Sequence, residues 1–103
     1  MDTDNLSNEA YEAVIVTAEM FNHDLTLHFG CLAMNCKNEE EYLSKSEKFI
    51  KGCLEYEDID ILMDDLFFGN PPREKDFKNA LSEIQHNINK VREIPFKQRT
   101  FDF

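Results

Sequence analysis

The chain reads as an all-α protein, an up-and-down antiparallel helical bundle of three longer helices and one short helix with an extended C-terminal tail. Three observations carry that reading. Apolar residues recur at three- and four-residue steps through most of the 103 positions. Only three Gly and three Pro interrupt them. Good helix caps, Ser7, Asn38 and Asp58, stand immediately before three of the periodic runs. Short loops between successive amphipathic helices make neighbours antiparallel. With 42% apolar residues and nine Phe, residues 1–103 are expected to form one domain with a real core, and 95–103 its tail.

Ser7 caps a first helix predicted over about residues 8–35, in which Tyr11, Val14, Ile15, Ala18, Leu25, Phe29, Leu32 and Cys36 form the buried stripe. Gly30 costs up to about 1 kcal/mol relative to Ala inside a helix, so it marks the place for a kink or an early stop. Asn38, followed by Glu39, Glu40 and Glu41, has the form of an N-cap with carboxylates at the positive helix end. The helix it opens buries Leu43, Ser46, Ile50 and Leu54, flanked by Tyr42, Phe49 and Cys53. Glu41 with Lys45 and Glu47 with Lys51 are expected as i,i+4 pairs on its wet side.

Asp58 caps a short third helix with Ile59, Leu62, Met63, Leu66 and Phe67 as its apolar stripe, and Gly69 stops it. Asn70-Pro71-Pro72 then turns the chain, with Pro accepted at the first position of a fourth helix over about residues 72–94. Phe77, Ala80, Leu81, Ile84, Ile88 and Val91 face inward along it, and Pro95 ends it. The tail alternates aromatic and polar residues without helical period. It is either an arm folded across the bundle or a docking peptide.

Charge is unevenly spread within a net −10. Residues 1–36 hold six acids and no Lys or Arg, and residues 57–68 hold five acids and no base. Such a balance disfavours nucleic acid and anionic membrane surfaces and suits a basic protein partner. No apolar run reaches the roughly 20 residues that span a bilayer. The acidic N-terminus lacks the pattern of a secretory signal, and three scattered Cys suit reduced thiols, so a cytoplasmic protein is expected. The seven bases after residue 69 lie beside Phe77, Phe96 and Phe101, and pairing with the acids of the first and third helices is expected to absorb them.

Four constellations could carry function. Opposite the core stripe of the first helix lies a second one, Val16, Met20, Leu27, Cys31 and Met34. It is either wrapped by the remaining helices or a self-association face, with Met20, Leu27, Cys31 and Met34 as its contacts and a homodimer as the product. Glu19 with His23 and Asp24 with His28 are i,i+4 carboxylate and imidazole pairs, read as solvated ion pairs, while Glu83-x-x-His86 points away from the helical core. Glu57, Asp60 and Asp64 share the outer face of the third helix with Asp65 nearby, an acidic surface for a protein partner.

Glu57-x-x-Asp60 together with Glu9-x-x-Glu12 resembles a fragment of the acidic pattern of the all-α nucleotide pyrophosphohydrolases. That resemblance implies, as an alternative, Mg²⁺-assisted phosphoanhydride hydrolysis with Glu9, Glu12, Glu57 and Asp60 as the metal-binding set. The family's fuller Glu-Glu-x-x-Glu element is absent from this sequence. No Ser-His-Asp arrangement, Gly-rich phosphate loop or cofactor motif is present either. The expectation is therefore an acidic helical binding or regulatory module without a cofactor. It resembles in charge and fold the acidic inhibitor and immunity proteins. A structural subunit of a larger complex is the remaining alternative.

Overall fold

The computed structural model describes residues 5–101. Five helices occupy them: α1 over residues 8–21, α2 His23–Met34, α3 Glu39–Glu55, α4 Ile59–Leu66 and α5 Glu74–Glu93. A 3-10 turn, Phe96–Gln98, follows, and no strand occurs among the described residues. α1 and α3 both pack on α5, α2 lies against α3 and the middle of α1, and α4 rests on α2. Their inward faces merge in one core in which Phe29, Tyr42, Phe77, Leu81 and Ile84 are fully buried. Each such side chain removed from water contributes about 1.5–3 kcal/mol.

Three helix starts follow the capping residues. Ser7 Oγ accepts from the Ala10 N–H at 3.1 Å, Asn38 Oδ1 from Glu41 at 2.8 Å and Asp58 Oδ1 from Ile61 at 3.3 Å. Leu43, Ser46, Ile50, Met63, Leu66 and the six inward residues of α5 are buried as their periodicity predicts. Leu54 is an exception and stays exposed, while its neighbour Cys53 takes the buried position in the last turn of α3. α5 begins at Glu74 after the extended residue Arg73, so Pro72 stands before the helix rather than at its first position. Gly69 adopts φ +93°, a left-handed conformation that glycine accepts without a Cβ clash, and turns the chain between α4 and α5.

The predicted first helix is two helices. The break is at Asn22, whose backbone is extended (φ −162°, ψ 136°) and whose Oδ1 accepts from the Asp24 N–H at 2.8 Å, capping α2. Gly30 remains helical and buried inside α2. Within α1 the segment Glu12–Val16 is a π turn. Widening the helix there frees backbone groups, and side chains meet them: Thr17 Oγ1 donates to the Glu12 carbonyl at 3.1 Å, and Asn87 of α5 reaches the Ala13 carbonyl and Thr17 Oγ1.

The tail is an arm. Arg99 Nη1 donates to Glu39 Oε2 at 2.6 Å, and the other oxygen of that carboxylate takes the Ser7 N–H, also at 2.6 Å. Arg99 Nε donates to the Ile94 carbonyl, and its guanidinium lies 5.6 Å from the Phe96 ring centre. Beyond it the Thr100 carbonyl accepts from Asn8 while the Thr100 N–H donates to Glu9. The arm thus ties the start of α1 to the start of α3.

Candidate functional site

The second stripe is not wrapped. The break at Asn22 assigns Val16 and Met20 to α1 and Leu27, Cys31 and Met34 to α2. Met20 is 84% exposed, Leu27 49% and Met34 61%, and Cys31 is an exposed free thiol. Leu27, Cys31 and Met34 keep the i, i+4, i+7 spacing of one helix face, so they form a continuous apolar strip along α2, whereas Met20 belongs to a different surface.

Asp24 and His28, beside the strip, hold α4 in place. His28 Nε2 is 3.0 Å from the Leu66 carbonyl, and since a carbonyl only accepts, this ring nitrogen carries the proton. The same ring stacks on Phe49. Asp24 Oδ2 accepts from the Phe68 N–H at 3.0 Å. Asp24 and His28 therefore bind backbone at the end of α4, not each other, and Glu19 and His23 are separated by the break. Phe68, 78% exposed, is fastened one turn before Leu27. Glu83 and His86 are both exposed, as their position off the core face of α5 requires.

Glu57, Asp60, Asp64 and Asp65 are all exposed on and just before α4. Among the described residues none of the four makes an ion pair. Four of the seven bases after residue 69 pair elsewhere: Arg92 reaches Glu40 and Glu47 of α3, Arg99 reaches Glu39, and Arg73 and Lys78 pair with Asp76 and Glu74 of α5. The expected pairing with the first and third predicted helices is corrected on this point. α5 packs along α3, so Arg92 meets α3's acids, and Glu47 is taken by Arg92 and Gln85 rather than by Lys51. Asp64 and Asp65 lie in the last turns of α4, where the helix dipole is negative and repels carboxylates.

Glu9, Glu12, Glu57 and Asp60 are not brought together. Glu9 binds Thr100, Glu12 lies beside α5, and Glu57 and Asp60 stand at the start of α4. Among the described residues no three His, Cys, Asp or Glu side chains gather where they could hold a metal ion. The buried carboxylate of Glu39 was not singled out by sequence reasoning, since its partner Arg99 lies 60 residues away. No family model, curated protein or solved structure matches this chain. No helix among the described residues is long and apolar enough to cross a membrane.

Proposed function

We propose that this chain is a cytoplasmic acidic binding module, an up-and-down bundle that self-associates through α2 and presents the carboxylates of α4 to a basic protein. The observation that carries the reading is the pair Asp64 and Asp65. They sit at the negative end of α4 with no cation beside them among the described residues, where folding alone would favour Lys or Arg. Charges that oppose the local field and lack an internal partner are available to an external one.

Self-association is supported by a different feature of the same surface. Residues 25–36 contain no Asp, Glu, Lys or Arg, so a chain of net charge −10 can meet its own copy there with the least repulsion. Leu27, Cys31 and Met34 supply the apolar contact, while Met20, across the break at Asn22, stands outside it. His28 and Asp24 anchor α4 alongside, which leaves acids bordering an apolar strip, the arrangement of a binding surface with a charged rim.

Light scattering on the native protein and on Leu27→Lys tests the contact: a native dimer and a folded monomeric variant are expected, and a native monomer removes self-association. The acidic face is tested by cross-linking in a lysate with the native chain and with Glu57→Gln, Asp60→Asn, Asp64→Asn and Asp65→Asn combined. A basic protein recovered only with the native chain, and bound more slowly as salt is raised, is expected. Equal recovery with both removes the acidic face.

A further inference from the structure

A second surface lies away from the α2 and α4 faces, along the seam between α1 and α5. Two open cavities, of about 460 Å³ and about 290 Å³, follow one another on it. The first is walled by Thr17, Met20 and Phe21 on one side and Asp76, Ala80 and Glu83 on the other. The second is walled by Glu9, Glu12 and Ala13 facing Asn87, Lys90 and Ile94. Thr17 of the first and Asn87 of the second are joined by a 3.2 Å hydrogen bond, so the cavities abut at that bridge. From Asp76 to Ile94 the groove runs about 27 Å, the length of an 18-residue helix.

The two cavities lie on one seam, with the bridge from Asn87 to Thr17 and Ala13 between them. Residues 9, 13, 17 and 21 of α1 all line it, although in a regular helix positions four apart drift by about 40° per step, or about 120° over three steps. The wider turn at Glu12–Val16 takes back much of that drift and keeps the four on one side. Ala13 and Ala80 set a shallow, small-residue floor. The rim is acidic. Glu12 and Glu83 are exposed, Asp76 and Glu9 are engaged by Arg73 and the Thr100 N–H, and of the lining residues Lys90 alone is cationic. At one end stands Met20, a flexible side chain that adapts to an apolar partner.

We infer that the α1–α5 groove is a docking site for a basic amphipathic helix of a partner protein, with its apolar face on Ala13, Ala80 and Met20 and its Lys or Arg residues against Glu12 and Glu83. A helix matches the length of the seam, small floor residues admit close approach of a third helix, and Glu12 and Glu83 select positive charge.

The probe is a synthetic amphipathic helix of about 18 residues with Leu at i, i+3, i+4 and i+7, Lys on its other face and one Trp. The chain itself has no Trp, so the emission reports the peptide alone. Saturable one-to-one binding with a blue shift is expected. Glu12→Lys with Glu83→Lys, and separately Met20→Glu, should weaken it about tenfold or more, while Asp60→Asn with Asp64→Asn should leave it within about twofold. All of these positions are exposed, so the variants are expected to fold. Three results each overturn the inference: equal binding of the peptide with Glu in place of Lys, indifference to the groove variants, or equal weakening by the α4 variant. The last would assign the peptide to the α4 face and leave the reading of that face standing.

Discussion

Arg99 and Glu39 form an ion pair whose side chains are 8% and 0% exposed, and a pair so placed is asymmetric in its energetics. Its net contribution against an apolar replacement is small, but removing one partner strands a charge inside the protein at about 3–5 kcal/mol. Arg99→Gln should therefore lower unfolding free energy in urea by that amount, a large share of the roughly 5–15 kcal/mol available to a domain. A loss below about 1 kcal/mol would mean that the arm does not hold the carboxylate out of water. Cys53 and Tyr42 are also buried. Burial pushes the Cys53 thiol from 9.0 up to about 11 and raises the Tyr42 hydroxyl as well, whose proton is donated to the Phe29 carbonyl. Between those two thiol values the unfolded chain loses a proton that the native protein retains, so this contribution is complete below pH 9 and is lost as pH rises through about 11. The urea midpoint should fall between about pH 8 and about pH 10.5, and fall less in Cys53→Ala. Equal falls in both would take Cys53 out of the account. At this scale the caps were legible, because Ser7, Asn38 and Asp58 act on N–H groups three residues away. Glu39 was not, since nothing within a turn of it distinguishes its buried carboxylate from those of Glu40 and Glu41.

α4 is eight residues long and too short to persist alone. What holds it is burial of Met63, Leu66 and Phe67, the edge-on contact of Phe67 with Phe77 at 5.4 Å, and two hydrogen bonds at its C-terminal end from α2. Of these, His28 satisfies a terminal carbonyl that no residue within the helix can reach. His28→Ala should accelerate amide exchange in α4 about tenfold while leaving Leu81 and Ile84 of α5 protected. Uniform acceleration would mean that α4 opens only with the whole core. The helices over 39–55, 59–66 and 74–93 were legible to within about two residues at their ends, since each has its own period and its own boundary signals. The break at Asn22 was not, because Ala18, Leu25 and Phe29 continue the apolar period across it and their burial is preserved on both sides. The signal that could have found it is the Asn-x-Asp spelling of a cap inside the run. The π turn has no such local sign, as the group that supports it, Asn87, arrives from α5.

The charges of the whole molecule are sorted by the packing of α5 on α3. That contact gives Glu40 and Glu47 of α3 their partner Arg92, the arm beyond α5 gives Glu39 its partner Arg99, and α4 is left with Glu57, Asp58, Asp60, Asp64 and Asp65 and no base. The acidic segment was legible from composition; that it would stay unneutralised was not, because it depends on which helices become neighbours. Asp58 and Asp60 stand at the positive end of α4 and stabilise it, Asp58 by capping, whereas Asp64 and Asp65 oppose the dipole at the other end and add to the self-repulsion of a −10 chain. Asp64→Asn and Asp65→Asn should each raise stability by about 0.3–1 kcal/mol at low ionic strength. The gain should shrink toward zero as salt approaches about 1 M, where the screening length is about 3 Å. Asp60→Asn, by the same argument, should lower stability. A thermal melt of the three variants at low and high salt separates the cases. If Asp64→Asn and Asp65→Asn destabilise the protein, these carboxylates serve the fold and the acidic face needs no partner to explain it. If they stabilise it, the chain retains two charges that its own folding disfavours, as a surface kept for binding would.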